Sequence, residues 1–310
     1  MLDRKTFANA VRKRPSFALL PLFENGFFDN MSDEKYLRLQ YWALTGKRLN
    51  LAHPEGFNEK IAWLKLHDHK PLYKAMADKY LARNFVSSVI GENWLVPLLG
   101  VWESADQIGY DALPERFVLK CTHGYGGTAI CRDKTAFDCK AATSKLASML
   151  RADFFGRARE WAYKNPTPRI VAEAYIDDGG DVPADYKFMC FNGKVCIVCI
   201  SRAVNAAHAG AGCVSFFLPD GSRAPFKRAD YPEYPGEDVM PSSYLAMYEA
   251  AEKLSSASGA PFVRVDFYEA TGKPYFSEFT FYPCGGTMFL EPAEYDCALG
   301  SLLELPRLGE

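Results

Sequence analysis

The spacing of apolar side chains divides the chain into a helical first third and a mixed remainder. Apolar positions recur at helical spacing in three segments before residue 105, at 33–44, 58–66 and 76–86. From Phe117 onward, short apolar runs typical of strands are interleaved with turns and helices. Antiparallel hairpins mixed with helices predict an α+β protein.

The part of the chain after residue 105 is predicted to combine helices and strands. A long helical region is expected at 138–164 and a further helix at 242–258. Strands are expected at 117–120, 129–132, 170–176, 186–191, 195–202, 214–218, 262–268 and 273–282. We therefore predict a mainly helical region over 1–105, followed by two subdomains over 106–180 and 181–310.

The last predicted hairpin carries the clearest chemical signal. Alternation places Arg264 and Asp266 on one face of its first strand, and Glu278 and Thr280 on one face of its second. The short connecting loop brings Asp266 and Glu278 close to direct opposition. Like charges placed opposite each other destabilise a sheet, and oxygen ligands alone suit Mg²⁺ or Mn²⁺. The open alternative is a solvated acidic face that pairs with Arg264 and Lys273.

A glycine-rich segment at 120–128 lies between two predicted strands. Its glycines let backbone N–H groups approach an anion, and Lys120 adds a mobile positive charge. The Walker A pattern is absent, and a dinucleotide fingerprint would require a helix where this chain has a strand. We interpret the segment as a flap over the phosphates of a nucleotide, with His123 as a ligand contact. A purely structural glycine turn is the alternative.

Charged residues on the neighbouring strands extend this interpretation. Lys187 and Arg202 lie on paired strands, so both could reach one triphosphate, although solvated strand ends paired with acids remain the alternative. Glu173 interrupts the apolar strand at 170–176. An unpaired buried charge costs several kcal/mol, so Glu173 needs a partner, which the amino group or ribose of a nucleotide would supply.

Composition excludes several classes of function. The chain has 310 residues, of which 48% are hydrophobic, so it can bury a large core. Its net charge of -2, without long runs of one sign, argues against a nucleic-acid partner. The nine cysteines lack the spacing of a disulfide framework. Because neither a membrane-spanning run nor a signal peptide is recognisable, we predict a cytoplasmic protein without a transmembrane segment.

Short blocks distributed over most of the chain match one family in their order and spacing. The blocks are 57–66, 77–80, 96–102, 117–124, 185–194, 264–268 and 277–283. Together they resemble the teichuronopeptide-biosynthesis (TupA-like) family of the ATP-grasp superfamily, from bacterial cell-surface polysaccharide clusters. The resemblance implies an ATP-grasp fold, in which two α+β subdomains clasp ATP, preceded by a mainly helical region.

The resemblance also implies roles for individual residues. Lys120 would hold the α- and β-phosphates, and the glycine loop would close over the triphosphate. The implied nucleotide contacts are Lys120, Thr122, His123, Gly124, Gly126, Gly127, Thr128, Glu173, Ala174, Tyr175, Asp181, Asp185 and Lys187. The implied Mg²⁺ ligands are Asp266, Glu278 and Thr280, with Thr280 in place of the asparagine common in the superfamily. The implied catalytic residues at the transferred phosphate are Lys187, Arg202 and Arg264.

The implied activity is that of an ADP-forming carboxylate–amine ligase that acts through an acyl phosphate. The expected substrates are ATP, a uronic-acid-type carboxylate or glutamyl chain on a glycan precursor, and an amine or amino acid. Such chemistry needs no protein nucleophile, which agrees with the lack of a nucleophile motif in the sequence. The alternatives are a nucleotide-sugar-dependent glycosyltransferase and a non-catalytic nucleotide-binding protein. A peripheral association with a membrane-bound polysaccharide assembly also stays open.

Overall fold

Two antiparallel sheets form the framework of the structure, a computed structural model that describes residues 11–12, 14–177, 183–203, 212–236 and 239–307. The first sheet contains β1 (Leu98–Trp102), β2 (Phe117–Cys121), β3 (Thr128–Cys131) and β4 (Ile170–Ala174), in the order β1-β4-β2-β3. The second contains β5 (Asp185–Phe191), β6 (Lys194–Ala203), β7 (Gly212–Phe217), β9 (Phe262–Ala270) and β10 (Lys273–Thr280), in the order β10-β9-β5-β6-β7. The short strands β8 (Lys227–Arg228) and β11 (Leu290–Glu291) pair separately.

Helices precede, connect and follow these sheets. They are α1 (Leu20–Glu24), α2 (Asp33–Thr45), α3 (Phe57–His67), α4 (Pro71–Ala77), α5 (Ala82–Ile90), α6 (Cys139–Leu150), α7 (Phe154–Ala158), α8 (Tyr244–Ser258) and α9 (Tyr295–Leu302). Short 3₁₀ turns lie at Pro15–Leu19, Glu92–Trp94, Ala105–Gln107, Tyr110–Ala112, Trp161–Tyr163 and Pro283–Gly286. None of the helices in the described ranges is long and apolar enough to cross a membrane. Helices combined with antiparallel sheets confirm the predicted α+β class.

Two segments predicted as single helices are interrupted, so these predictions are wrong in detail. In 76–86, the Asp78 carboxylate accepts the backbone N–H groups of the second and third residues after it, each at 2.9 Å. In 138–164, the Asp153 carboxylate caps α7, and Arg159 adopts a φ of 53° at the end of that helix. Short acidic side chains compete with helical hydrogen bonds for backbone donors, and periodicity does not reveal this competition.

The apolar residues form two separate cores. The larger core joins the N-terminal helices to the second sheet; for example, the Phe57 ring of α3 lies 5.0 Å from the ring of Phe262 on β9. Helix α8 packs against β5, β6 and β9 of the same sheet. The smaller core lies between the first sheet and α6, around Phe117 and Leu146. The division of the chain near residue 105 stays a prediction.

The last hairpin has the register that alternation predicts. Asp266 on β9 lies opposite Glu278 on β10, and Arg264 lies opposite Thr280. An irregularity between Phe276 and Glu278 shifts the pairing by one residue. The register therefore confirms the predicted opposition of the two carboxylates: Asp266 lies on β9, next to β5, and Glu278 lies on the edge strand β10.

Candidate active site

A cleft lies between the two sheets and has a volume of about 230 Å³. The first sheet and its glycine loop supply one wall, and strands β5, β9 and β10 supply the other. Among the lining residues are Lys120, Glu173 and Tyr175 from the first sheet, and Asp185, Tyr268 and Glu278 from the second. Cations and carboxylates thus meet in one concave site.

Glu173 is held by two cations on the wall formed by the first sheet. Its carboxylate lies 2.8 Å from Lys120 Nζ and 3.3 Å from a guanidinium nitrogen of Arg83. Burial by itself would lower the pKa of Lys120, but Glu173, Tyr268 and Glu278 together outweigh burial and raise it. The partner that the buried Glu173 needs is therefore supplied by the protein itself.

The glycine loop between β2 and β3 forms the roof of the cleft. Gly124, Gly126, Gly127 and Thr128 line it, together with the exposed Tyr125. Gly124 has a φ of 67° and Gly126 a φ of 82°, a left-handed conformation that glycine adopts without steric cost. The loop therefore presents backbone, with little side-chain bulk, to whatever occupies the cleft.

Thr122 and His123 lie beneath this loop and outside the lining of the cleft. Thr122 is fully buried, and its hydroxyl accepts the backbone N–H of Arg169 at 3.2 Å. His123 is 3% exposed and packs edge-on against Phe154, with the rings 5.5 Å apart. Burial lowers the pKa of His123, so the neutral ring predominates at neutral pH. In this structure both residues support the loop from behind.

Replacing Gly124 with alanine is expected to weaken nucleotide binding more than the same change at Gly126. A Cβ at Gly124 would lie 2.2 Å from the ring of Phe154, whereas one at Gly126 would lie 3.8 Å from its nearest neighbour, Met149. Both variants carry left-handed strain of about 1–2 kcal/mol, but only Gly124→Ala must also displace an aromatic ring. Calorimetric titration with Mg-ATP measures the difference, and equal affinities would contradict this account of the loop.

Asp266 lies at the centre of the opposite wall, just behind the cleft surface. It is fully buried, and its carboxylate lies 2.8 Å from Lys187 Nζ and 2.6 Å from Arg264. Lys187 also contacts the Asp185 carboxylate at 2.6 Å. Arg264 donates in addition to the Thr280 hydroxyl at 2.9 Å. The structure thus brings these five residues from three strands, β5, β9 and β10, into one network.

Glu278 joins this network at the edge of the cleft. Its carboxylate lies 3.2 Å from Lys79 Nζ and 3.6 Å from Arg264. Burial would raise the pKa of Glu278, but Lys79, Lys187 and Arg264 outweigh burial and lower it to about 2. The carboxylate is therefore ionised at neutral pH. Its contribution to stability is complete above the unfolded-state pKa and is lost as the pH falls toward about 2.

Sequence reasoning missed Lys79 as a site residue. The backbone N–H of Lys79 donates to Thr122 O at 2.8 Å, and its Nζ donates to Gly124 O at 2.9 Å. Lys79 thus connects the glycine loop to Glu278 on the opposite wall. The only signal in the sequence was the block at 77–80, because a continuous helix over 76–86 would have made Lys79 an ordinary surface position.

Two other predicted site residues are placed differently or lie outside the described ranges. Lys187 pairs with Cys199 across β5 and β6, and because side chains alternate, Arg202 emerges on the opposite face of the sheet. The Arg202 guanidinium lies 5.1 Å from the ring of Tyr234. The structure therefore does not bring Arg202 together with Lys187. Asp181 lies outside the described residues.

The charges of the cleft suit an anion accompanied by a divalent cation. In the described part of the chain, no group of three or more acidic, histidine or cysteine side chains forms a ready metal cage. The Asp266 and Glu278 oxygens are nevertheless ligands that Mg²⁺ prefers, and their present partners are cations that phosphates would attract. The positive charges in and around the cleft are those of Lys79, Arg83, Lys120, Arg132, Lys187 and Arg264, and the negative charges are those of Glu173, Asp185, Asp266 and Glu278. This excess of two positive charges offsets only part of the negative charge of a triphosphate and leaves the rest to be balanced by bound metal.

Two antiparallel sheets face one cleft and carry a glycine loop and a wall of paired acids and cations. This arrangement defines the ATP-grasp class of proteins. A family model described as TupA-like ATPgrasp matches residues 59–304. The chain therefore belongs to the TupA-like ATP-grasp family, and the resemblance noted in the sequence is confirmed. Membership also confirms the expected fold and makes the chain an ATP-grasp ligase that uses ATP with a divalent metal.

Comparison with solved structures found several ligases at low sequence identity. The D-cycloserine synthetase DcsG has 14% identity and a TM-score of 0.44, with 75% of this chain and 70% of that chain covered. An L-amino acid ligase from Bacillus licheniformis has 13% identity and a TM-score of 0.45, with 86% and 57% covered. A D-alanine–D-alanine ligase from Bacillus anthracis, complexed with ATP, has 16% identity and a TM-score of 0.39, with 73% and 58% covered. A search of curated proteins found no match.

Proposed function

We propose that this protein is an ADP-forming carboxylate–amine ligase that acts through an acyl phosphate. The proposed carboxylate substrate is a uronic acid or a glutamyl chain on a precursor of a bacterial cell-surface polysaccharide, and the proposed location is the cytoplasm. The observation that carries the proposal is the convergence of the glycine loop, Lys120 and the Asp266–Glu278 pair on one cleft. Family membership supports the ligase chemistry, and the polysaccharide substrate rests on the family resemblance.

In this proposal the two walls of the cleft divide the work of binding ATP. Lys120 and the glycine loop hold the α- and β-phosphates from one side. Lys79 lies 3.2 Å from Glu278 and also contacts the loop, so it is placed to meet a phosphate between the walls. Glu173, Ala174 and Tyr175 line the end proposed for the adenine, and Asp185 faces the proposed ribose position.

The opposite wall handles the transferred phosphate. Asp266 and Glu278 would hold Mg²⁺, with the Thr280 hydroxyl as a weaker third ligand, and bound Mg²⁺ would neutralise charge on the γ-phosphate. Lys187 and Arg264 offset the negative charge that develops as the substrate carboxylate attacks phosphorus. Since the required catalysis is positioning and electrostatic stabilisation, the protein needs no nucleophile of its own.

A ligand-stabilisation experiment separates this function from its alternatives. We expect Mg-ATP to raise the melting temperature more than Mg-UDP-glucose or Mg-GDP-mannose, and ADP to be released when a carboxylate is added with hydroxylamine as a trapping amine. Stabilisation by a nucleotide sugar alone would indicate a glycosyltransferase instead. ATP binding without ADP release, across a panel of D-glucuronate, D-galacturonate, L-glutamate and poly-L-glutamate, would indicate a non-catalytic nucleotide-binding protein.

A further inference from the structure

Tyr125 is an exposed aromatic residue in the roof of the cleft, and the proposed ATP contacts do not use its side chain. It lies between Gly124 and Gly126 and carries the only large side chain in the glycine loop at 124–128. Tyr125 lines the cleft, and 62% of its surface is exposed. Sites that bind small molecules are lined mainly by apolar and aromatic groups, so a ring in this position is suited to contact a ligand.

The ring of Tyr125 is held in place from one side by Phe154, the first residue of α7. The two rings have centroids 4.8 Å apart and planes inclined by 65°. Phe154 also packs closely against the backbone of Gly124, next to Tyr125. It contacts in turn the rings of His123, at 5.5 Å, and Tyr163, at 5.9 Å. The protein itself therefore orients Tyr125, which reduces the conformational entropy lost when a ligand binds.

The loop around Tyr125 lies at the end of the cleft proposed for the transferred phosphate. Lys79 Nζ donates to Gly124 O at 2.9 Å and also lies 3.2 Å from the Glu278 carboxylate. A single ammonium group thus separates the backbone next to Tyr125 from a proposed metal ligand. A ligand in contact with Tyr125 would therefore lie close to the reacting phosphate.

The end of the cleft proposed for the adenine lies elsewhere. Ala174, which lines that end, is opposite Phe117 at the first residue of β2, whereas the glycine loop follows Cys121 at the last residue. The two ends of β2 are roughly 13 Å apart at the rise of a β-strand. Tyr125 is therefore available to the second substrate, whose carboxylate must reach the transferred phosphate.

We propose that the ring of Tyr125 stacks on the sugar ring of a uronic acid and so positions the acid at the transferred phosphate, an assignment that rests on the ligase function proposed above. A pyranose ring presents a face of C–H groups, and a tyrosine ring offers an apolar face with a polar hydroxyl at its tip. Lys79 and Arg264, which lie 3.2 Å and 3.6 Å from Glu278, would attract the carboxylate of the sugar. A linear glutamyl chain presents no such face. The assignment therefore selects the uronic acid among the two carboxylate substrates proposed above.

The test compares ring-shaped and linear acceptors in the presence of ATP and hydroxylamine. The probes are L-glutamate and two uronosides, methyl β-D-glucuronoside and methyl α-D-galacturonoside, whose blocked anomeric carbons do not react with hydroxylamine. Tyr125→Ala should raise KM for the uronosides at least about 10-fold and leave kcat within about threefold, because stacking contributes to binding of the ground state and the transition state alike. L-glutamate should be the poorer acceptor with the wild type. Its KM and the Kd for Mg-AMP-PNP should change by less than about threefold in Tyr125→Ala.

Two further substitutions separate stacking from other roles of the side chain. Tyr125→Phe keeps the ring and should behave like the wild type. Tyr125→Leu keeps apolar bulk without a flat ring and should resemble Tyr125→Ala. Tyr231→Ala is the matched control, because Tyr231 is also exposed but lies outside the lining of the cleft. This control should leave KM for every acceptor unchanged.

A direct binding measurement keeps this assignment distinguishable from the ligase function. In saturation-transfer NMR with Mg-AMP-PNP present, the ring protons of the uronosides should receive saturation from the wild type and not from Tyr125→Ala. The assignment would be overturned by an unchanged KM for the uronosides in Tyr125→Ala, by an equal rise for L-glutamate, or by absence of the NMR signal with the wild type. ADP release with none of the carboxylates would refute the ligase function, and the NMR signal alone would then decide the uronoside site.

Discussion

Asp266→Asn is expected to abolish ATP turnover and to lower the thermal stability of the protein. Asp266 is fully buried and lies within 2.8 Å of both Lys187 and Arg264. Removing its charge deprives Arg264 of its main partner and leaves Lys187 with Asp185 alone, and breaking a buried ion pair typically costs about 3–5 kcal/mol. It also removes a proposed metal ligand, and loss of such electrostatic stabilisation reduces turnover by roughly 10³-fold or more. ADP release and thermal unfolding measure the two effects separately.

Glu278→Gln provides the matched comparison for this prediction. Its side chain is 33% exposed, and its ion pair with Lys79 spans 3.2 Å. A partly exposed ion pair contributes about 1 kcal/mol or less to stability, so this variant should remain folded and melt close to the wild type. Turnover should nevertheless fall as severely as in Asp266→Asn, because both carboxylates are proposed to hold the same metal. Full activity in both variants would show that the metal site has been misplaced.

Lys120→Met is expected to cause the largest loss of ATP affinity. Lys120 lies at the end of β2 on the cleft surface, with only 17% of its side chain exposed. Its raised pKa keeps it charged at every accessible pH, so the loss should not depend on pH. Removing a desolvated cation of the protein that contacts a charged ligand typically costs about 2–4 kcal/mol of binding free energy. This loss corresponds to a roughly 30- to 1,000-fold higher Kd for Mg-ATP.

Lys120→Met should lower the folding stability of the protein less than it lowers the affinity for ATP. Glu173 keeps its ion pair with Arg83 at 3.3 Å when Lys120 is removed. The control is Lys145→Met, since Lys145 is exposed, lies on α6 outside the lining and donates to Thr128 O. That control should change ATP affinity by less than about threefold. An unchanged Kd for Mg-ATP in Lys120→Met would exclude Lys120 from the phosphate site.

Local patterns predicted the parts of the site that depend on neighbouring residues in the chain. The period of two along a strand placed Asp266 and Arg264 on one face, and the short loop after them placed Glu278 opposite Asp266. The strand–glycine loop–strand segment was recognised because apolar runs flank the glycines directly. In each case the decisive contacts lie within one hairpin, so backbone geometry alone determines which side chains share a face.

The same local reasoning failed where a helix was interrupted. The Asp78 carboxylate accepts the backbone N–H groups of Tyr80 and Leu81 in the turn between α4 and α5, and this break moved Lys79 from an expected helix surface to the cleft. The apolar spacing of 76–86 contains no sign of this break. Once the helix was assumed continuous, the lysine that connects the two walls could not be recognised as a site residue.

By itself, then, the sequence determined the α+β class, the glycine loop and the opposed carboxylates, because each follows from periodicity and turn chemistry within a few residues. Only the tertiary structure decided which charges meet. Lys187 reaches Asp266 across 79 positions of sequence, and Arg83 reaches Glu173 across 90. Strand order and register decide those pairings, and they also turn Arg202 away from Lys187. Partner choice between buried charges is set by long-range packing, which no local pattern encodes.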